Sequence, residues 1–290
     1  MSSVQADDND RETVAAVGSS LYYSTLFIPP EERGAVTTLH AFGLEVGDVI
    51  RKCSDPGIAR VKLQWWREET QRAIEGHARH PLGQALSPIL KRYRLPIEDL
   101  FRIIDCTEAT LNATDYSHFT DLVLHCEGTT GLLWQMSTTI TGYQDSSTLE
   151  YAKQLGCAVQ LATILQDVRA DATGGRIFIP KDDMERLAIT VEDLVSAKST
   201  DRLKQLISLQ IDRTREQFGQ AIDKLPESDR WQQLHGLIMS EIILATLNEV
   251  ERDGYRVLEQ RIVLTPLRKL LIAWLTMRRE KRRRQKTRTS

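Results

Sequence analysis

Apolar residues recur along this chain at steps of three and four. Val36, Leu39, Phe42, Val46 and Val49 make one stripe, and Ile58, Val61, Trp65 and Ala73 a second. Ile207, Ile211, Phe218, Ile222 and Leu225 make a third, and residues 238–250 a fourth. A period of about 3.6 residues predicts amphipathic helices, each turning one face inward. No alternating run of Val, Ile or Thr bounded by Asn-Gly or Asp-Gly appears, so strands find no place. Pro29-Pro30-Glu31-Glu32 reads as a helix start, with proline in the first turn and acids near the positive end of the dipole. Thr190-Val191-Glu192-Asp193 and Ser228-Asp229-Arg230-Trp231 read as two further N-caps. The pattern predicts one all-α domain over residues 18–279, with a disordered N-terminal segment (1–17) and a basic C-terminal tail (280–290).

Charge changes this picture at one end only. The 290 residues carry a net −2. From Arg278 onward eight basic residues face a single acid, Glu280, so the rest of the chain is distinctly acidic. A body of that sign excludes a nucleic-acid-binding face on the fold itself. The tail is suited to anionic lipid headgroups, each basic residue near such a surface contributing about 1 kcal/mol; a solvated end and RNA contact are its alternatives. The N-terminus is acidic and polar, unlike a signal or transit peptide, and no run of 18 apolar residues occurs. Cys53, Cys106, Cys126 and Cys157 stand singly, without metal-ligand spacing, as reduced thiols do. These features point to a cytoplasmic protein with peripheral membrane contact through its tail.

Candidate chemistry concentrates in residues 151–180. On a helix, Gln160, Thr163, Asp167 and Asp171 share one narrow face, while Leu161, Ile164, Leu165 and Val168 cover the other side. Carboxylates at i and i+4 can hold a divalent ion, and Mg²⁺ is typically bound by one or two carboxylates plus substrate phosphates. The same spacing also occurs on plain solvated faces. Gly174-Gly175-Arg176 then ends the helix and presents a guanidinium suited to phosphate.

These residues carry a family resemblance. Gln160-Leu161, Ile164-Leu165-Gln166-Asp167-Val168, Asp171 and Gly175-Arg176-Ile177-Phe178-Ile179-Pro180 resemble the second aspartate-rich motif of the squalene/phytoene synthase family. The likeness extends over roughly residues 19–275. It takes in Ser19-Ser20-Leu21-Tyr22-Tyr23-Ser24, Ala41-Phe42, Asp55-Pro56, Trp65-Trp66-Arg67-Glu68-Glu69, Gly254-Tyr255 and Arg261. The resemblance implies a single-domain isoprenoid-synthase-type helical bundle around a central cavity. It implies head-to-head condensation of two prenyl diphosphates, assisted by Mg²⁺ on Asp48, Asp167 and Asp171. It assigns substrate binding to Gln160, Arg176 and Tyr255.

The chain departs from the family's pattern where the first aspartate-rich motif belongs. There it reads Gly43-Leu44-Glu45-Val46-Gly47-Asp48-Val49-Ile50-Arg51. Gly47 and Arg51 stand where the family places carboxylates, and Leu44 where it places an arginine; only Asp48 is kept. Residues 122–131 lack the family's tyrosine, Thr110 stands for an aspartate, and Thr163, Gln166 and Ala170 replace polar or charged residues. Similar erosion marks the family's complex I assembly factor branch. Three readings follow: an active prenyltransferase, a catalytically inactive binding or assembly protein on the same fold, and a prenyl-lipid-binding module that keeps the cavity without the ionisation step.

Overall fold

The computed structural model describes residues 17–111, 116–196 and 198–287. Every regular element among them is helical. Helices α1 (Ser20–Ser24), α2 (Pro30–Lys52), α3 (Pro56–Glu75), α4 (Pro81–Tyr93) and α5 (Ile97–Ala109) make the first half. Helix α6 (Phe119–Cys126) runs through a π-helical turn at Glu127–Gly131 into α7 (Leu132–Thr141), and α8 (Ser147–Thr173) follows. The second half holds α9 (Lys181–Arg186), α10 (Val191–Val195), α11 (Asp201–Asp223), α12 (Leu234–Arg252) and α13 (Pro266–Thr287). The all-α expectation is met. No described helix is long and apolar enough to cross a membrane.

Local sequence explains most helix starts. Pro30 opens α2, with Glu31 and Glu32 in its first turn. Asp55 caps α3 by accepting from the amides of Gly57 (2.7 Å) and Ile58 (3.0 Å). Thr190 and Asp193 form a reciprocal capping box on α10. The expected cap at Ser228 is not one: the next helix begins at Leu234. Its neighbour Asp229 is instead fully buried, accepting from the amides of Gln144 and Asp145 and the hydroxyl of Thr148.

The core has two main bodies. One gathers the α2 stripe, Val36, Leu39, Phe42 and Val46, with apolar residues of α3, α4, α5 and α7. The other joins α8 to Leu203, Leu206, Ile207 and Ile211 of α11 and to α12. The α3 stripe expected from the sequence is overturned at three of its four positions, and only Ala73 is buried as expected. Ile58, Val61 and Trp65 are 55%, 70% and 40% exposed, whereas Ala59, Leu63, Trp66, Glu69 and Thr70 face inward. Buried Glu69 is satisfied by Arg72 and by the amides of Arg79 and His80, so a polar position occupies the core side. The boundary expected at residue 279 also falls inside a helix, since α13 continues to Thr287. Positions 1–16 and 288–290 lie outside the described residues.

Helix α8 lies between the two bodies and touches the π-helical turn closely. A Cβ at Gly156 would sit 2.5 Å from the carbonyl oxygen of Thr130 and 2.7 Å from the Cα of Gly131. Both obstacles are backbone and cannot swing aside. Gly156→Ala is therefore expected to cost about 1–3 kcal/mol of stability or more, read as a lower urea midpoint. Because Thr130 lines the cavities described next, the same change should disturb ligand binding.

Candidate functional site

Two adjoining cavities open between α2 and α8, where the two core bodies meet. The larger, about 990 Å³, has an apolar wall that includes Leu44, Trp134, Val159, Ala162, Met239 and Ile243. The smaller, about 270 Å³, is lined in part by Gly47, Gln160, Asp171, Arg176 and Phe178. Leu44, Arg51, Thr130, Thr163 and Asp167 border both. Gln160, Thr163, Asp167 and Asp171 are brought to one cavity wall by the pitch of α8. The π-helical turn supplies Thr130, whose hydroxyl donates to Gln160 Oε1 at 2.8 Å. Such turns inside α-helices often mark functional sites. Tyr255 does not line either cavity. It occupies a left-handed turn (φ 62°), and its hydroxyl meets Ser208 of α11 at 3.5 Å.

Each aspartate on these walls faces a cation of the same chain. Asp48 accepts from Arg51 Nε at 2.9 Å and from Lys52 Nζ at 2.8 Å, which engages both of its oxygens. Burial opposes charge on Asp48, but the bonds from Lys52 and Arg51 outweigh it and hold its carboxyl below the usual carboxylate range. Asp167 Oδ1 accepts from Arg261 at 2.9 Å, across 94 positions of sequence. Asp171 faces Arg176 at 3.5 Å. Burial raises its carboxyl pKa in spite of Arg176, and the negative charge of Asp167 adds to the rise. Arg176 also donates to the carbonyls of Ile50 and Gly174, so it bridges α2 and the end of α8.

That arrangement answers whether Mg²⁺ fits. Among the described residues, the walls of the two cavities carry four carboxylates (Glu45, Asp48, Asp167, Asp171) and five cations (Arg51, Lys52, Arg176, Arg261, Lys269). Among the described residues no three His, Cys, Asp or Glu side chains converge as a ligand set. At Gly47 there is no side chain, and Arg51 puts its guanidinium on Asp48, the carboxylate a cation would need. The residues present do not fit a divalent ion. The pairing of Asp48 with Arg51 and Lys52 follows helical spacing, whereas Arg261, though part of the family likeness, meets Asp167 only in the folded chain.

Comparison with known proteins places this architecture. The squalene/phytoene synthase family model matches residues 14–268. The chain belongs to the squalene/phytoene synthase family. It is 26% identical over 275 residues to phytoene synthase 1 of Arabidopsis thaliana, covering 92% of this chain and 64% of that one. It is 27% identical over 257 residues to the phytoene synthase of Mycobacterium tuberculosis, covering 88% and 84%. Among solved structures it is similar to squalene synthase HpnC from Alicyclobacillus acidocaldarius, at 25% identity and a TM-score of 0.68, over 80% of this chain and 88% of that one. A dehydrosqualene synthase shares the fold at 20% identity and a TM-score of 0.75, covering 90% and 92%. The expected family and its helical architecture are thus established, and the chain spans 64% of the length of the plant relative.

Three histidines, His235 buried and His40 and His125 half-buried, lie in or beside these cavities. His40 donates or accepts with Ser137 Oγ at 3.1 Å, and His235 stacks on Trp134 with ring centroids 5.4 Å apart. Burial lowers His40 and His125 to about 4; burial, then the neighbouring His40, lowers His235 to about 3. All three are neutral in the folded protein near pH 7. Their folded values lie below the ordinary 6.5, so their contribution is complete above that pH and is lost as pH falls toward 4. Each proton taken up on unfolding gives a slope of about 1.4 kcal/mol per pH unit. Urea midpoints should fall between pH 6.5 and 4, and His125→Phe should lower the slope by one proton's worth.

Proposed function

We propose that this protein binds a prenyl diphosphate, or a prenyl lipid with a similar anionic head, in the α2/α8 cavity without a metal cluster. One observation carries the reading: a cavity of about 990 Å³ with an apolar wall, whose lining also carries Arg51, Lys52, Arg261 and Lys269 and whose aspartates are already paired. The apolar wall would take the prenyl chain, whose transfer from water contributes about 0.8 kcal/mol per buried CH₂. Cations would meet the head, as Arg and Lys do wherever phosphate is bound. Gln160 and Arg176, on the adjoining smaller cavity, would extend this head-binding region; Tyr255 belongs to the scaffold. Metal-assisted departure of diphosphate has no part in this reading, because its ligands are engaged. Cytoplasmic location with peripheral contact to an anionic membrane accords with this reading and does not depend on it.

The family's head-to-head condensation is the second reading. It is favoured by Asp167 and Asp171, which remain one turn apart on the cavity wall of α8. Titration of the protein with farnesyl diphosphate and its non-hydrolysable thio analogue, with EDTA or with Mg²⁺, separates the two. Binding that is unchanged by EDTA, with no product or released pyrophosphate above the blank, is the expected result. Turnover that requires Mg²⁺ and disappears in Asp167→Asn would overturn it in favour of catalysis.

A further inference from the structure

We propose that the outer face of α13 docks on an anionic lipid bilayer. Leu267, Leu270, Leu271, Trp274 and Leu275 are between 41% and 79% exposed. Their spacing of three, one, three and one places all five on a single stripe of the helix. The opposite face is the packed one, with Lys269, Ala273, Thr276 and Glu280 buried where α13 meets α1 and α12. Five contiguous large apolar side chains turned to solvent are the mark of an interaction surface.

The chemistry of the stripe selects its partner. Beyond Leu275 the same stripe continues as Arg278, Lys281 and Arg282, all exposed. Arg278 lies over the Trp274 ring at 4.6 Å from its centroid. Leu and Trp beside long basic side chains, with no acid between them, match the boundary of an anionic bilayer: the apolar groups enter it and the cations reach the phosphates. A second copy of the chain would bring these cations against themselves. RNA would meet the cations and leave the five apolar side chains in water.

Position adds a consequence. Val263, 53% exposed, precedes the stripe and lines the larger cavity, whereas Lys269, which also lines it, lies on the packed face of α13. Docking along α13 therefore brings the Val263 edge of that cavity toward the lipid phase in which prenyl chains dissolve. Delivery of lipid to the cavity rests on the reading of the site given above; the docking does not.

The test uses the full chain and vesicles of phosphatidylcholine, with and without phosphatidylglycerol. Sedimentation is expected only with the anionic vesicles and weakens as salt rises. Leu271→Ser/Trp274→Ser is expected to lower partitioning roughly tenfold or more. Lys281→Glu/Arg282→Glu should lower it at least as much, since each cation lost near the surface is worth about fivefold. All four positions are exposed, and an unchanged thermal midpoint shows that each variant is folded. Brominated acyl chains should quench part of the tryptophan emission, and that part should vanish in Trp274→Phe. No sedimentation with anionic vesicles, or sedimentation that both double variants retain, would overturn the proposal. So would a dimer in light scattering that the apolar variant dissolves, or retention by RNA in place of vesicles. If docking fails while farnesyl diphosphate still binds, the docking alone falls; if docking holds and no prenyl ligand binds, the cavity reading falls.

Discussion

Gly47→Asp with Arg51→Asp is expected to make the protein respond to Mg²⁺. The two positions are one turn apart on α2, and both line the smaller cavity opposite Asp167 and Asp171. Room exists: a Cβ at Gly47 would meet nothing within 4 Å. Removing the Arg51 guanidinium frees Asp48 from one of its two cations, leaving Lys52. Counting every group as ionised, the paired cavities change from a net +1 to a net −2, which is the sign a divalent ion requires. Without metal, the crowded carboxylates should lower the variant's thermal midpoint. Adding Mg²⁺ at about a hundred times its dissociation constant should restore about 2.7 kcal/mol, while the parent chain stays unchanged. Gly47→Ala/Arg51→Gln separates the effect of charge from that of shape. If that control and the double-aspartate variant both fold and respond alike to millimolar Mg²⁺ with diphosphate, this account of the site is wrong.

The outcome at Gly47 and Arg51 depends on two substitutions that the sequence exhibits openly, because a motif with fixed spacing makes a missing carboxylate visible. What neutralises Asp48 lies at helical spacing beside it, but what neutralises Asp167 does not show in the sequence. Arg261, which belongs to the family likeness, reaches Asp167 from 94 positions away, and no spacing announces that pairing. The same division runs through the fold. The α2 stripe reads correctly because every inward position is apolar, from Val36 to Val49. The α3 stripe reads correctly only at Ala73, because Glu69 and Thr70 take inward positions, Glu69 satisfied by amides outside the helix, while Ile58 and Val61 face solvent. Ser228-Asp229 has a cap's composition, yet Asp229 serves the amides of a different loop. In α13 the basic run masks a helix, since its inward positions past Ala273 are Thr276 and Glu280 rather than leucines. Polar residues on inward faces are what periodicity cannot read, and for Glu69, Asp229 and Glu280 a specific partner explains the position.

Glu280 is the case with the largest expected effect on stability. In the sequence it stands as the lone acid of a basic tail, yet its side chain is 1% exposed and accepts from Arg230 Nε at 2.9 Å and Nη2 at 3.0 Å. Burial opposes its charge, but the bonds from Arg230 outweigh this and hold its carboxyl below the usual range. Arg230→Ala leaves that charge buried without its main partner. Arg279, 3.5 Å away, is half exposed and bonded to Glu241 at 2.8 Å, so it is a weak substitute. The expected loss is about 3–5 kcal/mol in urea denaturation near pH 7. The pH dependence identifies the cause. With its folded value below 4.5, Glu280 lends the parent chain stability that is present above that pH and lost as pH falls through the folded value. In Arg230→Ala the buried carboxyl instead takes up a proton readily, so the gap between parent and variant should narrow as pH falls toward 4.5 and below. Arg230→Met/Glu280→Leu, which removes both charges and keeps the volume, should return to within about 1 kcal/mol of the parent. A gap that stays constant with pH, or a double variant as unstable as the single one, would mean that packing rather than the ion pair anchors α13.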